Sequence, residues 1–146
     1  MTEPTPGTAR PHYRTPAVIA AGGALGTGAR YGANLLWPAP PGAFPWTTLT
    51  VNALGCLAIG VLLAAVTETP AAPAWLRPFA ATGVLGGFTT FSAYCLDIER
   101  LLSAGRTGAA LSYLAATLLA ALAAVTFGAW ATRLILATRR RTRRTR

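Results

Sequence analysis

Acid is what this chain of 146 residues most lacks: Glu3, Glu68, Asp97 and Glu99 are all it has, and charged residues of both signs make up 12% of it. Soluble domains carry roughly 25%. There is one histidine, His12, near the N-terminus, and no lysine. No metal-ligand spacing, nucleophile–base pair or phosphate loop can be assembled from this set, so enzyme chemistry is not expected. None of the acids is expected deep in an apolar run. A small proton-coupled exporter needs an intramembrane acid to carry its proton, and that class is set aside too. The two cysteines, Cys56 and Cys95, fall in separate apolar runs. They read as small apolar residues, with no disulfide or metal signal.

What the chain has in quantity is apolar sequence, 53% of the whole. A membrane span needs about 20 such residues. Thr15 to Ala29 is uncharged and can continue through Arg30 to Trp37; Trp46 to Thr67, Pro78 to Leu96 and Thr107 to Thr132 are uncharged throughout. The breaks between them, "PAPPGAFP", "ETPAAPAWLR" and "DIERLLSAGR", hold the turn formers and charges that end helices. The pattern predicts an all-α membrane protein with four transmembrane helices at about 16–37, 46–67, 75–100 and 107–133. A short N-terminal segment, 1–15, and a basic C-terminal tail, 135–146, flank this domain of 16–134. Pro16 to Ala29 imitates a signal peptide, but its glycine density and its continuation through Arg30 argue against cleavage.

The formal charge of +9 comes entirely from arginine, six of them in the tail "RRRTRRTR". Beside a span, an anionic lipid surface is the expected partner of such a tail, and nucleic acid is not. Four spans put both termini on one side with the 68–77 loop. Arg10, Arg14, Arg77, Arg133 and the tail then set ten arginines there against Arg100 and Arg106 opposite. The positive-inside rule places both termini in the cytoplasm of a multi-pass cell-membrane protein.

Polar groups inside the spans are few, and by default they are functional candidates. The competing reading is interhelical glue, about 0.6 kcal/mol per bond on average. Gly22, Gly26, Gly28 and Gly32, with Gly83 and Gly87, form small-xxx-small pairs and read as close helix packing. Asn52 shares a helical face with Thr48 and Cys56. Its amide either donates to an anion or ties helices together. Arg30 either snorkels to the interface or gathers anions at a pore mouth.

The stretch "LGGFTTFSAY", 85–94, departs most from a clean apolar helix. Irregular backbone at membrane depth is tolerated only inside protein or along a wet cavity. A break there frees carbonyls that can hold a cation. Phe91 and Tyr94 share a face once the helix resumes. Their positive ring edges can line an anion path without a full charge that would trap the ion. Thr90 and Ser92 supply hydroxyls beside them.

Taken in order, "GGALGTGARYG" (22–32), "TLTVNALGCLAIG" (48–60), "GVLGGFTTFSAY" (83–94) and "GRTGAALSYLAAT" (105–117) resemble the fluoride-channel family, Fluc or CrcB. That resemblance implies an antiparallel dimer of four-helix subunits, with two narrow fluoride pathways and a central structural sodium ion. It implies a third helix broken at the motif, with sodium held by backbone carbonyls at Gly86 and Thr89. It matches Phe91 to the first phenylalanine of the family's aromatic pair. It matches Arg30, Asn52 and Tyr113 to the family's arginine, asparagine and fourth-helix tyrosine, and Thr117 to its hydroxyl track. Ala93 and Tyr94 stand where the family usually has threonine and phenylalanine, and Ala121 ends the hydroxyl track early. Tyr94 keeps a ring edge and adds a hydroxyl able to hold the ion.

The function expected is passive export of fluoride, which confers fluoride resistance. The alternative is a non-conducting or partner-dependent membrane subunit. The arginine bias favours one orientation, hence an oppositely oriented homologous partner; a homodimer remains the other reading.

Overall fold

The computed structural model describes residues 14–40, 42–69 and 72–144, and every regular element among them is helical. Helix α1 is Arg14–Leu36 and α2 is Trp46–Thr67. The third stretch starts as Arg77–Leu85, wound as a π-helix, and runs into one α-turn, Gly86–Phe88; together these form α3. Ser92–Ser103 is α4, and Thr107–Arg144 is α5. The N-terminal segment expected at 1–15 lies outside the described residues up to 13, and α1 begins at Arg14. The basic tail expected from 135 continues α5 as helix to Arg144.

Three stretches are long and apolar enough to cross a membrane among the described residues: Trp46–Thr67, Arg77–Ser103 and Thr107–Thr138. The first expected span, α1, is helical over 23 residues, about 34 Å at 1.5 Å per residue, which is long enough to cross. Its glycines and Arg30 leave it less apolar than the others. Large apolar side chains lie on the outside along every long helix, among them Leu25, Leu54, Leu118, Leu122 and Trp130. That surface suits lipid or a second membrane subunit far better than water.

The packing divides into two pairs. α1 lies along α3, and α2 lies along α5, which is the most extensive contact in the molecule. α4 leaves the first pair and packs on α5. A Cβ on Gly83 would sit 2.9 Å from the Gly22 Cα, and one on Gly87 would sit 2.5 Å from the Gly23 carbonyl oxygen. The α1 and α3 backbones therefore touch where side chains are missing. Gly60 and Gly128 do the same between α2 and α5. Gly28 and Gly32, expected to pack closely, have open space around them instead. They lie on the outward side of α1, away from α3.

Ring packing locks the end where α4 and α5 meet. Leu101, Ala110 and Tyr113 are fully buried, with Phe44, Leu49, Tyr94 and Ile98 against them. The α4–α5 turn closes with Arg106 N–H donating to the Leu101 carbonyl and Gly105 N–H to the Leu102 carbonyl. This end requires a residue at positive φ, and Gly105 supplies it at 71°. The Arg106 guanidinium then donates to the Gly42 carbonyl, tying this turn to the α1–α2 loop.

Candidate functional site

Between α3 and α4 the helix stops for three residues. Thr89 is extended, with φ −75° and ψ 158°. The glycine pair ahead of the break is itself helical: Gly86 has φ −65° and ψ −34°. Gly87 serves the approach to α1, and the backbone turns away two residues later.

Asn52 holds the turn open. Its Oδ1 accepts the Thr90 N–H at 2.8 Å, and its Nδ2 donates to the Thr90 carbonyl at 2.9 Å. A continuing α-helix would have given that N–H to the Gly86 carbonyl, four residues back. Asn52 takes it instead, so the Gly86 carbonyl loses its partner. Asn52 is therefore interhelical glue to the backbone, while its second amide hydrogen keeps it available as a donor. From the other side, Arg30 Nε donates to the Gly87 carbonyl at 3.2 Å, with Thr27 Oγ1 at 3.4 Å. Arg30 thus reaches inward to α3.

The hydroxyls of the motif are mostly engaged. Thr89 Oγ1 donates back to the Leu85 carbonyl at 2.9 Å. Thr90 Oγ1 accepts the Ala93 N–H at 3.1 Å, capping α4, and pairs with Ser92 Oγ at 3.2 Å. A groove of about 330 Å³ opens beside the break, lined by Asn52, Cys56, Thr89, Thr90, Phe91, Tyr94 and Thr117, with Leu118 and Ala121. Six of the expected site residues meet there. Gly86, Ser92, Tyr113 and Arg30 are not part of its lining.

Thr117 Oγ1 is buried without a partner of hydrogen-bonding geometry, although the Tyr113 hydroxyl is near enough to interact with it. The Phe91 and Tyr94 rings are 5.8 Å apart and tilted by 43°. Tyr94 packs in turn against Tyr113 at 5.4 Å, the rings tilted by 47°, and Tyr113 meets Phe44 edge-on at 5.4 Å. A line of rings thus runs from the exposed Phe91 to the fully buried Tyr113. The Tyr94 hydroxyl donates to the Leu114 carbonyl at 3.2 Å. That bond ties the Tyr94 ring to α5 and commits its proton there.

Asp97 is the residue sequence reasoning missed. It lies toward the end of the third span, inside the expected bounds of 75–100, with its side chain only 13% exposed. Its Oδ2 accepts from Thr48 Oγ1 at 2.7 Å and from the Tyr113 hydroxyl at 3.5 Å; its Oδ1 pairs with Arg100 at 3.4 Å. The signal was the Thr48–Asn52–Cys56 face, whose first member points to the carboxylate. Among the described residues, no three potential metal-binding side chains cluster.

The model of the CrcB-like protein family (Camphor Resistance, CrcB) matches residues 17–129. The chain belongs to the CrcB family. A relative in Streptomyces coelicolor, called Fluoride-specific ion channel FluC 1, is 56% identical over 120 residues, covering 82% of this chain and 78% of that protein. Fluoride-specific ion channel FluC 2 of Nocardia farcinica is 54% identical over 115 residues, 79% of this chain and 82% of its own. The FluC 2 protein of Thermobifida fusca is 48% identical over 120 residues, 82% and 89% of the two chains. CrcB proteins are ion channels and not enzymes. With spans that fit a bilayer, this CrcB chain is a multi-pass membrane protein.

Proposed function

We propose that the chain forms a fluoride-selective channel through which cytoplasmic fluoride leaves the cell passively, conferring fluoride resistance. The observation that carries this reading is the clamp of Asn52 on Thr90 beside the groove of Phe91, Tyr94 and Thr117. A broken third span, unlike a continuous one, puts backbone and donors at membrane depth, where such a break needs a wet cavity or protein around it.

Fluoride holds water strongly, so a path must replace that water with other donors. The groove offers the remaining Asn52 amide hydrogen, the Thr117 hydroxyl and the positive edges of Phe91 and Tyr94. None carries a full positive charge, so the ion is attracted without being trapped. Tyr113 acts behind the path, supporting Tyr94, and Asp97 orients the Tyr113 hydroxyl. Larger halides are excluded by the width of the path and by their poorer fit to these donors. Arg30, bonded to Gly87, positions the break from the α1 side and adds fixed positive potential near the path.

The working unit in this reading is an antiparallel dimer, with two paths and a structural sodium ion at its centre. The residues fit that ion. The Gly86 carbonyl has lost its helical partner, and Thr89 is extended with its hydroxyl committed to Leu85. Sodium takes oxygen ligands, and backbone oxygens from Gly86 and Thr89 of each subunit would hold it and fix the two breaks against each other. Both termini face the cytoplasm in the orientation that the arginine bias favours. That bias supports an oppositely oriented homologous partner over a homodimer.

Fluoride efflux from liposomes containing the purified protein, with and without sodium, tests this function. Efflux of fluoride and not chloride is expected, and Phe91→Ile abolishes it while leaving assembly intact. Well-folded dimers that pass no fluoride would sink the self-sufficient channel; normal efflux through Phe91→Ile would sink the ring-edge path.

A further inference from the structure

We propose that the C-terminal part of α5 is a binding site for anionic phospholipid, with Arg133 taking the headgroup phosphate and Trp130 and Leu134 the first carbons of the chains. The charge-free part of α5, Thr107 to Thr132, is about 39 Å long at 1.5 Å per residue, against a hydrocarbon core about 30 Å thick. Trp130 and Arg133 therefore fall at the membrane interface, where tryptophan rings settle. A shallow cleft of about 510 Å³ opens there, lined by Thr126, Ala129, Trp130, Arg133 and Leu134. Trp130 and its neighbour Phe127, rings 5.9 Å apart, are both exposed. The cleft thus has an apolar aromatic floor with one exposed cation above it, which is the chemistry of a phospholipid at its glycerol level.

The helix does not end there. It continues to Arg144, carrying arginines at positions 139, 140, 141, 143 and 144. The first of these is about 9 Å beyond Arg133 along the axis, close to the screening length of about 8 Å at physiological salt. The sequence has no acid after Glu99, and Glu68, at the end of the α2 helix alongside, sets a single negative charge against the five arginines of the extension. Arg133 forms no ion pair among the described residues. The complement is a negatively charged bilayer surface, and each arginine within its reach raises affinity about five-fold. Nucleic acid would answer the charge as well, but not Trp130 and the apolar cleft below Arg133.

The test uses the full chain in mixed micelles with brominated phosphatidylglycerol or brominated phosphatidylcholine, which quench nearby tryptophan. The Trp130 signal is the difference between the wild type and Trp130→Phe. Phosphatidylglycerol is expected to quench it at least about five-fold more effectively than phosphatidylcholine. Arg133→Gln should remove about five-fold of that preference while eluting as the wild type does, and glutamines at 139–144 should flatten its dependence on salt. Equal quenching by the two lipids would overturn the proposal, as would a preference that Arg133→Gln leaves undiminished. Displacement of phosphatidylglycerol by a single-stranded oligonucleotide at equal phosphate concentration would overturn it in favour of nucleic acid.

Discussion

Replacing Asn52 with alanine removes both bonds that hold Thr90, at 2.8 and 2.9 Å. The two backbone groups then have different fates. The Thr90 N–H can return to the Gly86 carbonyl, its ordinary helical acceptor. The Thr90 carbonyl must find the Tyr94 N–H or stay unpaired. One group orphaned at membrane depth costs about 1–3 kcal/mol; if both re-pair, the loss falls toward the average of about 0.6 kcal/mol per bond measured in membranes. A loss near 2 kcal/mol corresponds to a drop of about 5–10 °C in the thermal midpoint for a chain of this size. The transport defect should be far larger than the stability defect, because closing the helix withdraws the Gly86 carbonyl and moves Phe91. At least a tenfold loss of fluoride efflux from liposomes is expected, alongside a dimer that still elutes normally in detergent. Asn52→Asp separates the two halves of the clamp: it accepts the Thr90 N–H but cannot donate to the carbonyl, and its charge repels fluoride. An Asn52→Ala protein with a midpoint within 2 °C of the parent and undiminished efflux would refute the clamp altogether. Destabilisation with normal efflux would leave the clamp standing and remove Asn52 from the path.

Thr89→Ala should keep the sodium dependence of efflux, since the hydroxyl already serves the Leu85 carbonyl and the proposed ligand is the backbone oxygen; loss of dimers or of all transport would assign the role to the side chain. Tyr94→Phe removes the bond to the Leu114 carbonyl, about 0.6 kcal/mol, and should leave efflux equal to or above that of the parent. A tenfold decrease would put the hydroxyl in the path. Gly87→Val drives a side chain into the Gly23 carbonyl and should cost at least about 1–3 kcal/mol of thermal stability by overpacking, whereas Gly28→Ala, in open space, should be neutral or mildly stabilising. Cysteines introduced near each terminus should label from the cytoplasmic side alone in intact cells, and equal labelling from both sides would refute a fixed orientation and the specialised-subunit reading.

The sequence was most legible where lipid dictates composition. Uncharged runs and their charged or proline-rich breaks locate the helices, because a lipid-exposed backbone has no other way to pair its polar groups. The polar face of Thr48, Asn52 and Cys56 was legible too, because four-residue spacing maps directly onto a helical stripe. Three features were not. The π-winding of Arg77–Leu85 leaves no mark in the residue pattern, and winding at i+5 depends on what the neighbouring helix allows. Asn52 was readable as a donor but not as a clamp on backbone, because its partner lies 38 positions away on a residue whose side chain plays no part. Asp97 was passed over because a charge beside a loop normally marks a span's end. Here Thr48 and Tyr113 supply the hydrogen bonds that allow the carboxylate to be drawn inside.

These placements explain why the third span has to be interrupted at Thr89 rather than merely bent. α3 is bound to α1 through backbone contacts that only glycine permits, whereas α4 is bound to α5 through Tyr94, Ile98 and Leu101. A single straight helix cannot serve both neighbours, and the crossover falls where each side has something to offer the exposed backbone. Arg30 and Thr27 satisfy the Gly87 carbonyl from α1, and Asn52 satisfies Thr90 from α2. The carbonyl left between them is that of Gly86, and the ring left beside them is Phe91, which is 77% exposed. An apolar ring that flanks the path yet lies largely outside the subunit leaves the groove walled on one side only. In a lone subunit lipid would reach the groove there. In the proposed channel a second subunit would close that side, covering Phe91, excluding lipid and setting the two Gly86 carbonyls against each other.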